Sequence, residues 1–292
     1  MAGRQEKALI GFVGLGMMGL PMVHKLQQAG HRLVVWNREP EAYDQLSDVL
    51  IAENPRAVAE QAGIIFLCVL DDRAVDDVVF GQRGIAEAAN PSHLIVDHST
   101  GLPVPTQARA EKLKSSCGAD WVDAPVSGGP GYAREGKLTI MAGGDPDALA
   151  RAAPFMDAYA GRTTLMGPVG AGQTAKVINQ AICGVGYVLM AEVHRLATQS
   201  GLAAERLPQC LAGGHADSAL LQYAYPKIDA QDFVPVASKA SQMAKDLKNV
   251  EAEIKRLGLA LPIVQLARKR YADYVEAGHG DDETASISKL YK

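Results

Sequence analysis

One short stretch limits this chain more than any other. Residues 11–22 read GFVGLGMMGLPM, with Gly14, Gly16 and Gly19 spaced as G-x-G-x-x-G. The apolar run Leu9-Ile10-Gly11-Phe12-Val13 leads into the glycines, and a helical pattern leaves them. A second apolar run, Leu33-Val34-Val35-Trp36, then closes a βαβ unit. By itself the motif is a weak signal, but this context is the one it requires for dinucleotide binding. Gly14 permits the tight turn, Gly16 lets backbone approach a pyrophosphate, and Gly19 lets the helix pack on the strand. Met17 and Met18 lie between them, at a helix N-terminus that offers free N–H groups and a positive dipole end.

The rest of the first half repeats the alternation. Apolar runs at 8–13, 32–36, 64–69, 94–97, 121–122, 138–142 and 163–165 read as strands, the earlier ones buried on both faces. Helical patterns at 20–28, 40–45, 55–61, 74–79 and 105–114 separate them. The expected fold is α/β: a Rossmann-type, doubly wound, mainly parallel sheet over residues 1–167. After Gly167 strands give way to helices at 173–200, 204–211, 236–257 and 262–277, so residues 168–292 are expected to form an all-helical domain for substrate binding and oligomerisation.

Composition removes several classes. With 292 residues and 48% hydrophobic content the chain can build a core. A net charge of -4 without a basic stripe argues against nucleic acid. The four cysteines are far apart and form no C-x-x-C pair, which suits a reduced, cytoplasmic chain without a structural zinc site; no metal is expected. The N-terminal apolar run leads into the glycines instead of a cleavage site, so no signal peptide is read. No apolar stretch approaches the ~20 residues that suggest a membrane span, and Ala181–Ala191 reads as a buried helix.

The end of the second strand bears on the cofactor. It reads Trp36-Asn37-Arg38-Glu39, with no acid at the position where NAD-binding chains hold the ribose 2′-OH. A guanidinium at Arg38 can pair with a 2′-phosphate, so NADP is expected, with NAD as the alternative because Glu39 would repel that phosphate. Asn37, together with Val69 and Leu70 at the end of the third strand, counts among the cofactor contacts.

Two more stretches carry chemistry. Ser127-Gly128-Gly129 follows a strand, where consecutive backbone N–H groups and a hydroxyl suit a small carboxylate. In the long helix, Lys176, Asn179, Gln180 and Cys183 share one face amid apolar neighbours. Lysine is costly to bury and can serve as an acid or base.

Taken in order, the segments at 11–22, 123–144 (DAPVSGGPGYAREGKLTIMAGG), 170–180 (GAGQTAKVINQ) and 245–247 (KDL) resemble the β-hydroxyacid dehydrogenase family over nearly the whole chain. The resemblance implies hydride transfer between NAD(P)(H) and a small β-hydroxyacid or its semialdehyde. It implies that Lys176 is the general acid/base, that Ser127, Gly128 and Gly129 hold the substrate carboxylate, and that Asn179 orients the substrate, with Gln180 beside it. It places Thr100 near the nicotinamide and Lys245 beside the cofactor, and a homodimer or homotetramer is expected. Gln180 departs from the family's second asparagine, and His98 and Gly101 are also unusual. A non-catalytic dinucleotide-binding module and an imine reductase are the competing readings; retention of Lys176 argues against both.

Overall fold

The computed structural model describes residues 9–291, and the chain divides into two compact units on either side of Lys176/Val177. In the first unit β1 (Leu9–Val13) passes through the glycine loop into α1 (Gly19–Gln28) and returns as β2 (Arg32–Trp36). Then come β3 (Leu50–Ile51), α2 (Pro55–Ala59), β4 (Ile64–Leu67), α3 (Asp72–Phe80), β5 (Leu94–Asp97), α4 (Pro103–Cys117) and β6 (Asp120–Asp123). These strands lie parallel in the order β3-β2-β1-β4-β5-β6. The chain winds outward from β1 on one side and from β4 on the other. That reversal is the crevice where open α/β sheets bind ligands.

Alternate residues of each strand feed two cores. Ile10, Phe12, Leu33, Val35, Phe66, Leu94 and Val96 belong to one, and Val13, Val34, Ile65, Leu67 and Ile95 to the other. This is why the strands read as unbroken apolar runs. Side-chain caps start the helices: Asn54 accepts from Ala57 N–H, and Asp71 from Ala74 N–H.

Past β6 the sheet turns back on itself. β7 (Val126–Ser127) and α5 (Gly129–Glu135) precede β8 (Leu138–Gly143), which runs antiparallel to both β6 and β7. After α6 (Pro146–Met156), β9 (Ala160–Gly167) pairs parallel with β8, and the 29-residue α7 (Ala171–Gln199) begins. The strand expected at 163–165 is thus longer at both ends. β3, β7, α5 and α6 have no counterpart in the sequence reading. Two of these are two-residue strands, α6 contains Pro154, and α5 opens on Gly-Pro-Gly. The part of the first expected strand at Ala8 lies outside the described residues.

The second unit contains the rest of α7 with α8 (Leu207–Leu211), α9 (Ala219–Ala230), α10 (Ala240–Arg256) and α11 (Pro262–Tyr274). Val177 and Val188 of α7 pack with Leu247, Val250 and Ile254 of α10 and Tyr271 and Tyr274 of α11. A second cluster joins Met190 to Leu221, Ala224, Tyr225 and Ile228 of α9. α9, which contains Pro226, has no counterpart among the expected helices, and α10 begins four residues later than the expected start at Val236. Two expectations for α7 are corrected. It is long and apolar enough, by length and composition, to cross a membrane, with a third of its most apolar window buried. Nor is 181–191 wholly buried, since Ile182 and Leu189 are 68% and 48% exposed.

Candidate active site

The glycine loop lies at the carboxyl ends of β1 and β2. Gly14 has φ +99°, a conformation L side chains rarely adopt, and a Cβ there would strike the Cys68 carbonyl just past β4. A Cβ on Gly19 would strike the Gly14 carbonyl. Both glycines are thus explained by packing within the protein. Gly16 is not: a Cβ there would meet no atom within 4 Å. An exposed glycine at the tip, with Met17 exposed beside it, leaves room for something other than protein, and this fits a pyrophosphate.

Asn37 ties this loop to the end of β2. Its Oδ1 accepts from Leu15 N–H at 2.8 Å, while Gly14 N–H donates to Trp36 O at 2.9 Å. Arg38 and Glu39 are exposed, and Arg38 Nε donates to Glu39 Oε1 at 2.6 Å. Val69 follows β4, its N–H donating to Ser99 Oγ at 3.0 Å, and Leu70 beyond it is exposed. Thr100 is half-buried in the loop after β5. The glycine loop, Asn37, Arg38, Val69, Leu70 and Thr100 all lie at or just past the carboxyl ends of parallel strands in this unit, where a dinucleotide would be held.

The ends of β5 and β6 present acids that the sequence reading left unassigned. Asp97 and Asp123 are register partners on neighbouring strands, and both are buried. Burial pushes the Asp97 carboxyl up to about 7 and the Asp123 carboxyl up to about 6. Asp123 clamps the start of α7: its Oδ1 accepts from Gly170 N–H at 2.7 Å and its Oδ2 from Gln173 N–H at 2.8 Å. These are helix-terminal donors that would otherwise lack partners. Gln173 continues the connection. Its amide donates to Ser99 O at 2.8 Å and accepts from Gly101 N–H at 3.0 Å, so the loop holding Thr100 and the first turn of α7 are one hydrogen-bonded unit. An acid closing the apolar strand Trp121-Val122-Asp123 was the available signal. His98, buried against Phe66, shares its ring nitrogens with Ala124 O (2.6 Å) and Tyr159 Oη (2.8 Å), a structural role.

One turn into α7, Lys176 is 7% exposed, and its Nζ donates to Val126 O at 2.8 Å. Val126 begins β7, so the amine is held one residue from Ser127. Gly128 and Gly129 follow with φ +127° and +73°, and α5 starts there. The structure therefore brings Lys176 together with the Ser127–Gly129 segment, forty-odd residues away in sequence.

Within the second unit, Asn179 is half-buried and Gln180 is 8% exposed. Gln180 Nε2 donates to Asp246 Oδ2 at 2.6 Å, and Asn179 Nδ2 donates to Gln180 Oε1 at 2.7 Å. Lys245 Nζ lies 3.1 Å from Asp246 Oδ1. Gln180 thus spends its amide on protein partners. Among the described residues no group of three or more His, Cys, Asp or Glu side chains is placed to hold a metal ion.

Comparison with known proteins gives concordant results. Residues 9–167 match the family described as the NAD binding domain of 6-phosphogluconate dehydrogenase, and residues 170–291 match the NAD-binding of NADP-dependent 3-hydroxyisobutyrate dehydrogenase. A 2-hydroxy-3-oxopropionate reductase of Escherichia coli is 38% identical, covering 87% of this chain and 86% of that one. An L-threonate dehydrogenase of Cupriavidus necator is 27% identical over 97% of this chain and 95% of its own. Among solved structures, the 3-hydroxyisobutyrate dehydrogenase of Mycobacterium tuberculosis with L-serine superposes with a TM-score of 0.87 at 28% identity, covering 98% and 99% of the two chains.

Proposed function

The chain belongs to the β-hydroxyacid dehydrogenase family and is an NAD(P)-dependent oxidoreductase acting on CH-OH donors; from that premise we propose that it interconverts a small β-hydroxyacid and its semialdehyde, with Lys176 as general acid/base and NADP(H) as the preferred cofactor. The observation that carries this reading is the buried Lys176 amine held 2.8 Å from Val126 O, beside Ser127.

The nicotinamide, when bound, supplies or accepts the hydride. The chain's own residues do the rest. Ser127 Oγ and the backbone N–H groups of Gly128 and Gly129 bind the substrate carboxylate, which fixes the carbon to be reduced. Lys176 donates a proton to the aldehyde oxygen during reduction and takes it back from the hydroxyl during oxidation. Its positive charge also stabilises the alkoxide character that develops on that oxygen. Val126 O orients the amine, and the Asp123 clamp holds the turn of α7 that carries it. Asn179, one turn further along the same helix face, orients the substrate. The acid that many dehydrogenases place at the ribose is replaced here by Asn37 and Arg38, which supports NADP(H), as does the NADP-dependent description of the matched C-terminal family.

Lys176→Ala tests the mechanism. Turnover of the best semialdehyde should fall by roughly 10²–10⁴-fold, the usual cost of losing a general acid. NADPH affinity, read by fluorescence titration, should stay within a few-fold of wild type. Lys176→Arg should not restore turnover, because a guanidinium does not release its proton near neutral pH. Lys176→Ala activity close to wild type would remove the lysine from the mechanism.

A further inference from the structure

The loop after β5 carries Thr100, and the chain on both sides of that residue is pinned. Before it, Ser99 N–H donates to Asp97 Oδ1 at 2.9 Å, and Ser99 O accepts from the Gln173 amide at 2.8 Å. After it, Gly101 N–H donates to Gln173 Oε1 at 3.0 Å, and Leu102 N–H donates to Asp72 Oδ2 at 3.2 Å. Asp97 ends the strand that the loop leaves, and Gln173 stands in the first turn of α7. Asp72 comes from elsewhere: it opens α3, the helix that follows Val69 and Leu70. It therefore ties the loop after β4 to the loop after β5, and those two strands are neighbours in the sheet.

Arg109, 6% exposed on α4, fixes this acid. Its Nη1 donates to Asp72 Oδ1 at 2.5 Å and its Nη2 to Asp72 O at 3.0 Å, while Nε and Nη2 reach the two carboxylate oxygens of Asp76 at 2.7 and 3.0 Å. One Asp72 oxygen is thus held by a guanidinium and the other by Leu102 N–H, and such charge-assisted bonds are the strong ones. This accounts for Gly101, which is unusual in the family pattern. A Cβ there would lie 2.3 Å from Asp72 Oδ1 and 3.0 Å from its Cγ. A free side chain would swing aside. This one is short and pinned at both oxygens, so it yields only by giving up a bond. Gly101 is not among the glycines with positive φ, so what it supplies is space and not a backbone conformation.

We propose that Asp72, held by Arg109 and accommodated by Gly101, is a positioning residue for the nicotinamide half of the cofactor. The assignment rests on the reading of this unit as the dinucleotide-binding one, with Thr100 beside the nicotinamide. In a doubly wound sheet the dinucleotide lies across the crevice, with one nucleotide on each side of the switch point. The glycine loop and Arg38 belong to the β1–β2 side. The nicotinamide nucleotide then falls to the ends of β4 and β5, the two that Asp72 ties together. A displacement of about 1 Å there takes the hydride-bearing carbon out of line and costs up to about 10²-fold in turnover. The adenosine half keeps its own contacts throughout.

Two variants test it. Gly101→Ala keeps every charge and forces Asp72 aside. Asp72→Ala removes the acid and leaves Arg109 paired with Asp76. Each should lower kcat for the best semialdehyde by roughly 10–100-fold. Each should also diminish the change in NADPH fluorescence on binding, which reports how firmly the nicotinamide is held. Affinity for 2′-phospho-ADP-ribose, the same cofactor without its nicotinamide, should stay within about twofold of wild type. The double variant should be no worse than Asp72→Ala, because the atom that the added methyl would strike is gone. Equal losses for NADPH and the fragment mark a merely structural role and overturn the assignment. So do additive losses in the double variant, or single variants that match wild type in kcat and NADPH fluorescence. All three leave the lysine mechanism standing. Wild-type protein that reduces no semialdehyde overturns the proposed function, whereas the two binding measurements need no substrate and still decide this assignment.

Discussion

Arg38 and Asp97 show how differently a single charge behaves at the surface and in the sheet. The Arg38–Glu39 pair is exposed, so its ion pair is worth little and a 2′-phosphate can displace Glu39 from the guanidinium. Arg38→Asp should therefore raise the KM for NADPH well above any change in the KM for NADH. Equal losses for both cofactors, or a wild-type preference for NADH, would refute the assignment. Asp97 is the opposite case. Burial pushes its carboxyl up to about 7, so the folded chain holds this proton more tightly than the unfolded chain does. The stabilisation this gives is complete below the ordinary aspartate range and is lost as pH rises through about 7. Asp97→Asn retains an oxygen for the Ser99 N–H and removes the titration. Urea unfolding should find the variant close to wild type near pH 4 and increasingly the more stable of the two by pH 8; parallel stability curves would contradict this. Neither aspartate was legible in the sequence beyond its place at a strand end, because what matters is the absence of water around it. The residues that were legible belong to motifs in which spacing alone forces proximity, as in the glycine loop and the face of α7 bearing Lys176 and Asn179. Gln180 was legible as a departure, but its partner Asp246 lies 66 residues away.

Among the elements, α7 departs most from what a buried helix should be. Ile178, Ile182, Leu189 and Leu196 are 57%, 68%, 48% and 67% exposed, and they recur at intervals of four and seven residues. That spacing draws one continuous apolar stripe along the helix. A second copy of the chain could cover such a stripe, which is the expectation to test. Light scattering at micromolar concentration should give a dimer or tetramer, and Ile182→Glu with Leu196→Glu should shift it toward monomer while the circular dichroism stays helical. A wild-type monomer would refute the expectation. The apolar residues of this helix are plain in the sequence, but not which of them stay uncovered. The strands of the parallel sheet were legible for a simpler reason: being covered on both faces, they are apolar throughout. Two of the helices without a counterpart in the sequence reading, α6 and α9, each hold an internal proline, a residue that removes a helix hydrogen bond and reads as a break.

At the scale of the whole molecule, the order of the parts along the chain was readable: a winding sheet first, helices after it. The antiparallel return through β7 and β8 was not, since a two-residue strand has no periodicity to read. That return nevertheless sets Val126 against Lys176. The clamp on α7 also governs how the start of that helix opens. The helix begins on a carboxylate supplied from strand β6, 47 and 50 residues earlier in the chain. An isolated helix nucleates on its own first turn, and its end frays. Here the Asp123 carboxylate caps the first turn, which carries Lys176, so fraying of that turn is coupled to the end of β6 and not left to the helix alone.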